Sequence, residues 1–253
     1  MKITFLGTAG STISKDRGYP AILINDDLLL DCGEGTTQKL LQVNAIDSIK
    51  TIFLTHLHND HLLGLFSLLW YYWIGNRKEE LEIIGPVGME KTIKSILKLI
   101  NTPEAMMTSL QPKYRELQSM EEVQILQANY TIKYVDVDHR IPALACRIES
   151  NGKSVCYSGD TRPTNALISL ADNCDLFICE TTMPDNWSVF AHEHYHCTPS
   201  DAAKLGMNAR CKKLVLFHIP SHFTNQMDKF RKQAEKIYKK DVIIAEDMMK
   251  LEI

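Results

Sequence analysis

The stretch Thr51–Phe66, TIFLTHLHNDHLLGLF, gathers three histidines and an aspartate within six positions: His56, His58, Asp60 and His61. Two imidazoles spaced two apart in an extended or looped segment can converge on one cation. Asp60 and His61 follow where the chain should turn into a helix, and they can point at a second cation nearby. Imidazole and carboxylate donors together suit zinc, manganese or iron(II), and coordination positions left open by the protein permit catalysis. A single histidine here would be read as an ordinary polar residue, whereas four donors in HxHxDH spacing call for a metal.

More donors of the same kinds close apolar runs further along. VDVDH finishes at His139, VCYSGD at Asp160 and LVLFH at His218. Each alone reads equally well as a solvated strand-end residue, but strand ends are also where loops leave a sheet and sites form. Two cations held about 3.5–4 Å apart, as in two-metal hydrolases, need a bridging carboxylate. Asp160 is the natural candidate.

These donors need a scaffold. The chain has 253 residues, 45% of them hydrophobic and 23% charged, with net charge −3 and pI near 6.3. That length buries a sizeable core without disulfides, and the balance argues against a broad nucleic-acid-binding face. Seven scattered cysteines without a CxxC pair fit reduced thiols, so a cytoplasmic protein is expected. The start MKITFLGTAGSTIS lacks the apolar run of a signal peptide, and no apolar stretch reaches the roughly 18 residues of a membrane span. The longest, Leu62 to Ile74, reads as part of a buried helix from about Asp60 to Ile74, apolar almost all round.

Strands are expected at KITFLG, AILIN, LLLDCG, TIFLT, LEIIG, YTIKYVDVDH, ALACRIES, KSVCYSGD, DLFICE, KLVLFH and, last, DVIIAED. Asn25-Asp26-Asp27 and Asn151-Gly152 mark hairpin turns. Helices are expected in EGTTQKLLQVN, in PVGMEKTIKSILKLI with Pro86 near its start, in RPTNALISLA, in TPSDAAKLGMNA capped by Thr198 or Ser200, and over 225–239. Residues 103–128 suggest short strands and a helical turn. Without repeats or linkers, 1–253 reads as one domain, with sheets inside and helices outside.

In this order the motifs resemble the metallo-β-lactamase superfamily and, within it, the ribonuclease Z branch. HLHNDH is similar to the superfamily's HxHxDH signature. DCGEGT at Asp31–Thr36 resembles the branch's first motif, FLGTAGSTISKDRGYP its glycine loop, SGDTRP its GDT motif and LVLFHI its last metal histidine. CETTM at Cys179–Met183 resembles its E-A/T-T stretch, and HCT at His196–Thr198 stands where the branch carries HST. The resemblance runs nearly end to end. It implies an α/β fold, a four-layer αββα sandwich of two mixed β-sheets flanked by helices, around a dinuclear site of two divalent ions, zinc first, manganese or iron otherwise. One metal would take His56, His58, His139 and Asp160, and the other Asp60, His61, Asp160 and His218. Asp60 would also orient or deprotonate the attacking water, and His196, oriented by Glu180, would protonate the leaving group. No cysteine is expected to bind metal or form a disulfide.

The chain departs from the branch in places. Bacterial members usually carry a tRNA-gripping arm between the third and fourth motifs, whereas only 20 residues join His139 to Asp160 here, filled by the Asn151-Gly152 hairpin. His222 stands where the branch prefers arginine, and Phe66 where it shows proline. Trp70, Tyr71, Tyr72 and Trp73 read as core or as a subunit contact, hence a homodimer; the alternative is that one or two of them wall a substrate pocket. The function expected is a metal-dependent phosphodiesterase acting on a small phosphodiester or a short nucleic-acid end. The alternatives are a true tRNA 3′-processing endoribonuclease, a hydrolase of a sulfate ester or lactone, and an inactive metal-binding scaffold.

Overall fold

The computed structural model describes residues 1–118, 122–125 and 130–253. Strands β1 (Lys2–Gly7), β2 (Ala21–Ile24) and β3 (Leu28–Leu30) form an antiparallel meander, which β4 (Thr51–Phe53), β5 (Glu82–Pro86) and β6 (Lys113–Leu117) extend in parallel. The second half repeats this plan. β8 (Tyr130–Asp136), β9 (Leu144–Ser150) and β10 (Lys153–Tyr157) are antiparallel, and β11 (Leu176–Glu180), β12 (Lys213–Phe217) and β13 (Val242–Ile244) follow in parallel. β7 (Glu122–Ile125) borders β8, and β14 (Lys250–Glu252) borders β1. Two mixed seven-stranded sheets result.

Local sequence explains the tight turns. Asn25 and Asp26 join β2 to β3 at φ 47° and 70°, and Asn151 and Gly152 join β9 to β10 at 51° and 71°. Asn, Asp and Gly tolerate this left-handed backbone, which matches the twist of paired strands.

The facing sides of the two sheets meet in an apolar layer that includes Phe5, Ile22, Leu30 and Phe53 from one and Ile132, Ile148, Tyr157 and Val215 from the other. Helices cover the outer faces. α1 (Thr36–Gln42), α3 (Gly64–Ile74) and α4 (Met89–Leu99) pack on the first sheet. α6 (Asn165–Leu170), α8 (Pro199–Asn208) and α9 (Met227–Tyr238) pack on the second. The central parallel strands, covered on both faces, therefore read as unbroken apolar runs such as LFICE and KLVLF. α2 (Asn59–Leu62), α5 (Glu104–Ser109) and α7 (Ser188–Glu193) are short. The arrangement is the expected αββα sandwich.

Some elements differ from the sequence reading. The single helix expected over 60–74 is two, because its backbone is tied to another loop. Cys32 N–H donates to the carbonyl of His61 (2.8 Å), and Gly64 N–H donates to the carbonyl of Cys32 (2.9 Å). A Cβ on Gly64 would stand 1.9 Å from the Gly33 carbonyl oxygen, so only glycine allows the approach. α3 is also not buried all round, since Tyr71 and Ile74 are exposed. Pro86 closes β5, and α4 starts later, after Gly88 at φ 90°. DVIIAED is not the last strand, because β14 follows and closes the edge beside β1. Thr198, not Ser200, caps α8 through a capping box with Asp201. In 103–128, α5, β6 and β7 agree with short strands and a helical turn; 119–121 and 126–129 lie outside the described residues.

Candidate metal centre

Four strand ends deliver the donors to one edge of the sandwich. The loop after β4 carries His56, and His58 is the extended residue that begins α2. The first turn of α2 carries Asp60 and His61. His139 follows β8, Asp160 follows β10, and His218 directly follows β12. His218 takes φ 61°, a left-handed conformation uncommon for a side-chain-bearing residue and typical of positions held by their surroundings.

The structure brings all seven predicted residues together. Nε2 of His56 and Nε2 of His139 each lie 3.1 Å from Nδ1 of His58. Beside this trio, Nε2 of His218 lies 3.2 Å from Nε2 of His61 and 3.3 Å from Oδ2 of Asp60. Asp160 stands between the groups. Its Oδ2 is 3.8 Å from His56 Nε2, while its Oδ1 is 3.4 Å from both His61 Nε2 and His218 Nε2.

This donor set fits cations. Asp160 is buried, and its Oδ1 has no hydrogen-bond partner among the described residues; an orphaned carboxylate oxygen in the interior is costly unless a cation meets it. Three ring nitrogens converge at His58 Nδ1, and a single proton can bridge only two of them. Burial lowers the pKa of His56, His58 and His139, which keeps these rings neutral and their lone pairs free for ligation. Burial works against a charge on His61 as well, yet Asp160, Asp31 and Asp60 together raise its pKa well above the ordinary value. These His and Asp clusters fit a dinuclear divalent-metal site.

The ring nitrogens facing away are also spoken for. The Thr55 hydroxyl lies 3.0 Å from Asp31 and 3.0 Å from His56 Nδ1, so it donates to the carboxylate and accepts from the imidazole. The Thr182 hydroxyl donates to Glu180 (2.7 Å) and accepts from His218 Nδ1 (2.9 Å). His61 Nδ1 donates to Asp31 (2.7 Å) and His139 Nδ1 to the Tyr195 carbonyl (3.3 Å). In the neutral ring each bond selects the tautomer that leaves Nε2 bare toward the centre. Asp31 also accepts from Thr55 N–H (2.7 Å) and the Tyr157 hydroxyl (2.9 Å).

His196 and Glu180 sit at the mouth. Nδ1 of His196 donates to Glu180 Oε1 (2.9 Å), and a ring nitrogen of His196 lies within 4.8 Å of Asp160 and His218 donor atoms. Glu180 is fully buried and further held by the N–H groups of Thr161 (3.0 Å) and Thr182 (3.1 Å). Burial opposes the charge on His196, but Glu180 outweighs it and brings its pKa up to about 9. The ring is therefore held in place by a fixed carboxylate.

Sequence reasoning missed the orienting residues Asp31, Thr55, Tyr157 and Thr182. Asp31 had a signal, since it opens the DCGEGT motif; a hydroxyl beside a ligand has none. Most of the WYYW run packs as core, as its leading reading expects, and its alternative role as a pocket wall falls to other residues. Trp70, Tyr72 and Trp73 belong to the layer outside the first sheet, where the Tyr72 hydroxyl donates to the Ile46 carbonyl (2.7 Å). The cavity of about 460 Å³ beside His58, His139 and His196 is walled by Trp187, Phe190 and Phe223 instead. All seven cysteines are buried free thiols.

Comparison with known proteins agrees with this geometry. The family described as "Beta-lactamase superfamily domain" matches residues 27–219. The ribonuclease Z of Picrophilus torridus is 30% identical over all of this chain and 96% of its own length. That alignment runs to 298 columns against 253 residues here, so the relative carries segments this chain lacks. Among solved structures, the short form of human tRNase Z superposes with a TM-score of 0.80 at 28% identity, over 100% of this chain and 99% of that one. The fold protein YhfI of Bacillus subtilis superposes with a TM-score of 0.84 at 22% identity, over 99% and 98% of the two chains.

Proposed function

The chain belongs to the metallo-β-lactamase superfamily, in its ribonuclease Z-like branch of metal-dependent hydrolases, and from that premise we propose that it is a dinuclear phosphodiesterase acting on a small phosphodiester or a short nucleic-acid end. The observation that carries the reading is Asp160, whose two oxygens face two separate donor groups and whose Oδ1 accepts no hydrogen bond among the described residues.

In this reading His56, His58, His139 and Asp160 hold one ion, and Asp60, His61, His218 and Asp160 the other. Imidazole and carboxylate donors favour zinc, with manganese or iron(II) as substitutes. Such ions would acidify a water for attack and neutralise charge on the phosphoryl oxygens. Asp60 orients the water and takes its proton. His196 donates a proton to the leaving oxygen, held at that task by Glu180. Residues 1–253 act as one such hydrolase domain.

The names of the relatives favour a second reading, 3′ processing of tRNA. Net charge −3 and the shorter chain favour the smaller substrate, because phosphate contacts supply most of the affinity for a large RNA. Assaying bis-p-nitrophenyl phosphate beside a pre-tRNA, with added zinc or manganese at about 50 mM salt, where RNA binding is favoured, separates the two. The proposal expects hydrolysis of the first and poor cleavage of the second. Efficient cleavage at the tRNA 3′ end would replace it by the second reading. Two bound ions without any phosphodiester hydrolysis would point to a sulfate ester or lactone.

A further inference from the structure

The cavity beside the centre has an aromatic wall that phosphate chemistry alone does not require. Trp187 and Phe190 each keep 45% of their surface exposed, yet both line this concave space. The wall is rigid. Trp187 stands at 77° to Phe190 and 87° to Phe223, with ring centroids 5.9 and 5.6 Å away. His194 stacks on Phe190 at 3.8 Å, and its Nδ1 donates to the Phe190 carbonyl (2.8 Å). The segment is pinned to α8 at two points. Asp185 accepts from Ser200 N–H (2.9 Å) and hydroxyl (2.6 Å), and His192 Nε2 donates to Asp201 (2.8 Å).

Large rings held open in a cleft beside a catalytic centre mark a place where another ring is buried. A planar heterocycle there gains stacking and removes apolar surface from water, and the preformed wall spares the ordering cost. Arg140 lines the same cavity, has no ion-pair partner among the described residues and supplies a cation for an adjoining phosphate or ring. His196, the proton donor to the leaving oxygen in the phosphodiesterase reading, lines it too, which puts the cavity on the leaving-group side.

Resting on that reading, the geometry points to Trp187 and Phe190 as a base-stacking subsite, so that the leaving group is a nucleoside whose base lies on this wall while its phosphate reaches the metal centre. The two residues set specificity and take no part in bond breaking.

The test uses metal-loaded protein and three dinucleoside monophosphates: one with both bases, one abasic on the leaving nucleoside, one abasic on the other. Removing the leaving-side base should lower wild-type kcat/KM roughly 5- to 150-fold, the equivalent of the free energy of base–aromatic stacking. Trp187→Ala should cause the same loss on the complete substrate and little further loss on the leaving-side abasic one, while Trp187→Phe keeps most of the rate. Equal losses from Trp187→Ala on all three substrates, or a dimer that this variant converts to monomer, would overturn the subsite. A dodecaribonucleotide assayed in parallel separates the sources of the base: a higher kcat/KM on the dinucleotide assigns the subsite to a small diester, and the reverse to a nucleic-acid end. If no phosphodiester is cleaved, the phosphodiesterase reading fails separately, and adenosine titration still decides the subsite. Quenching of tryptophan fluorescence in the wild type but not in Trp187→Phe supports it, and no quenching rejects it.

Discussion

In the proposed function, single residues divide into groups that would hold metal, groups that would orient the holders, and one that would move a proton. His58→Ala should lose bound metal and activity together, measured by elemental analysis beside the rate. Asp31→Asn keeps size but removes the charge that His61 Nδ1, Thr55 and Tyr157 address; a 10- to 100-fold loss of metal affinity is expected, as for other partners of metal-bound imidazoles. A competitive chelator titration measures it, and unchanged affinity would show that Asp31 serves folding alone. His196→Ala should keep its metal and lose about 10²–10⁴ in rate on a diester with a poor leaving group. The loss should be much smaller on an aryl diester whose leaving group needs no proton, and equal losses on both would remove the acid role from His196.

At the scale of elements, the question is how short segments hold donors from remote parts of the chain. The Cys32–Gly33 loop locks α2 by accepting Gly64 N–H and donating to His61 C=O, so Gly64→Ala should displace α2 and weaken metal binding as well as lower Tm. Thr198→Ala removes the α8 cap and should cost about 0.5–2 kcal/mol with metal content unchanged, read from thermal or urea unfolding. The difference between these variants is a test of where the site is anchored. Sequence pattern revealed most strands, though not β14, and both Asn-led hairpins, because alternation and turn chemistry are local. It revealed HxHxDH for the same reason. It could not reveal the break at Leu63, which arises from a loop some thirty residues upstream in the chain. Nor could it reveal the Thr55 and Thr182 relays, since a threonine beside a ligand looks like any other. The WYYW run of α3 reads first as core or a subunit contact, and Trp70, Tyr72 and Trp73 do pack as core, whereas no local signal marks Trp187 and Phe190, which only the fold brings to the centre. The αββα arrangement and the grouping of His139, Asp160 and His218 came through the motif resemblance, since nothing in their spacing alone brings them to His56.

At the scale of the whole molecule, two halves of like topology enclose an apolar layer and leave a metal centre at one edge, on a chain of net charge −3. That charge should make affinity for long RNA weak and only shallowly dependent on salt compared with a protein that grips many phosphates; binding to a tRNA measured across salt concentrations checks this, and a steep slope would reveal a basic grip, from this chain or a partner copy. In the proposed function Asp160 joins two cation sites that act together on a phosphodiester. Titrating metal-stripped protein with zinc or manganese, while following bound metal and hydrolysis of bis-p-nitrophenyl phosphate, decides it. Activity should rise to its plateau only as two ions bind per chain, and Asp160→Asn should abolish this dependence along with the activity. Full activity at one ion per chain, or two bound ions without hydrolysis, would contradict it.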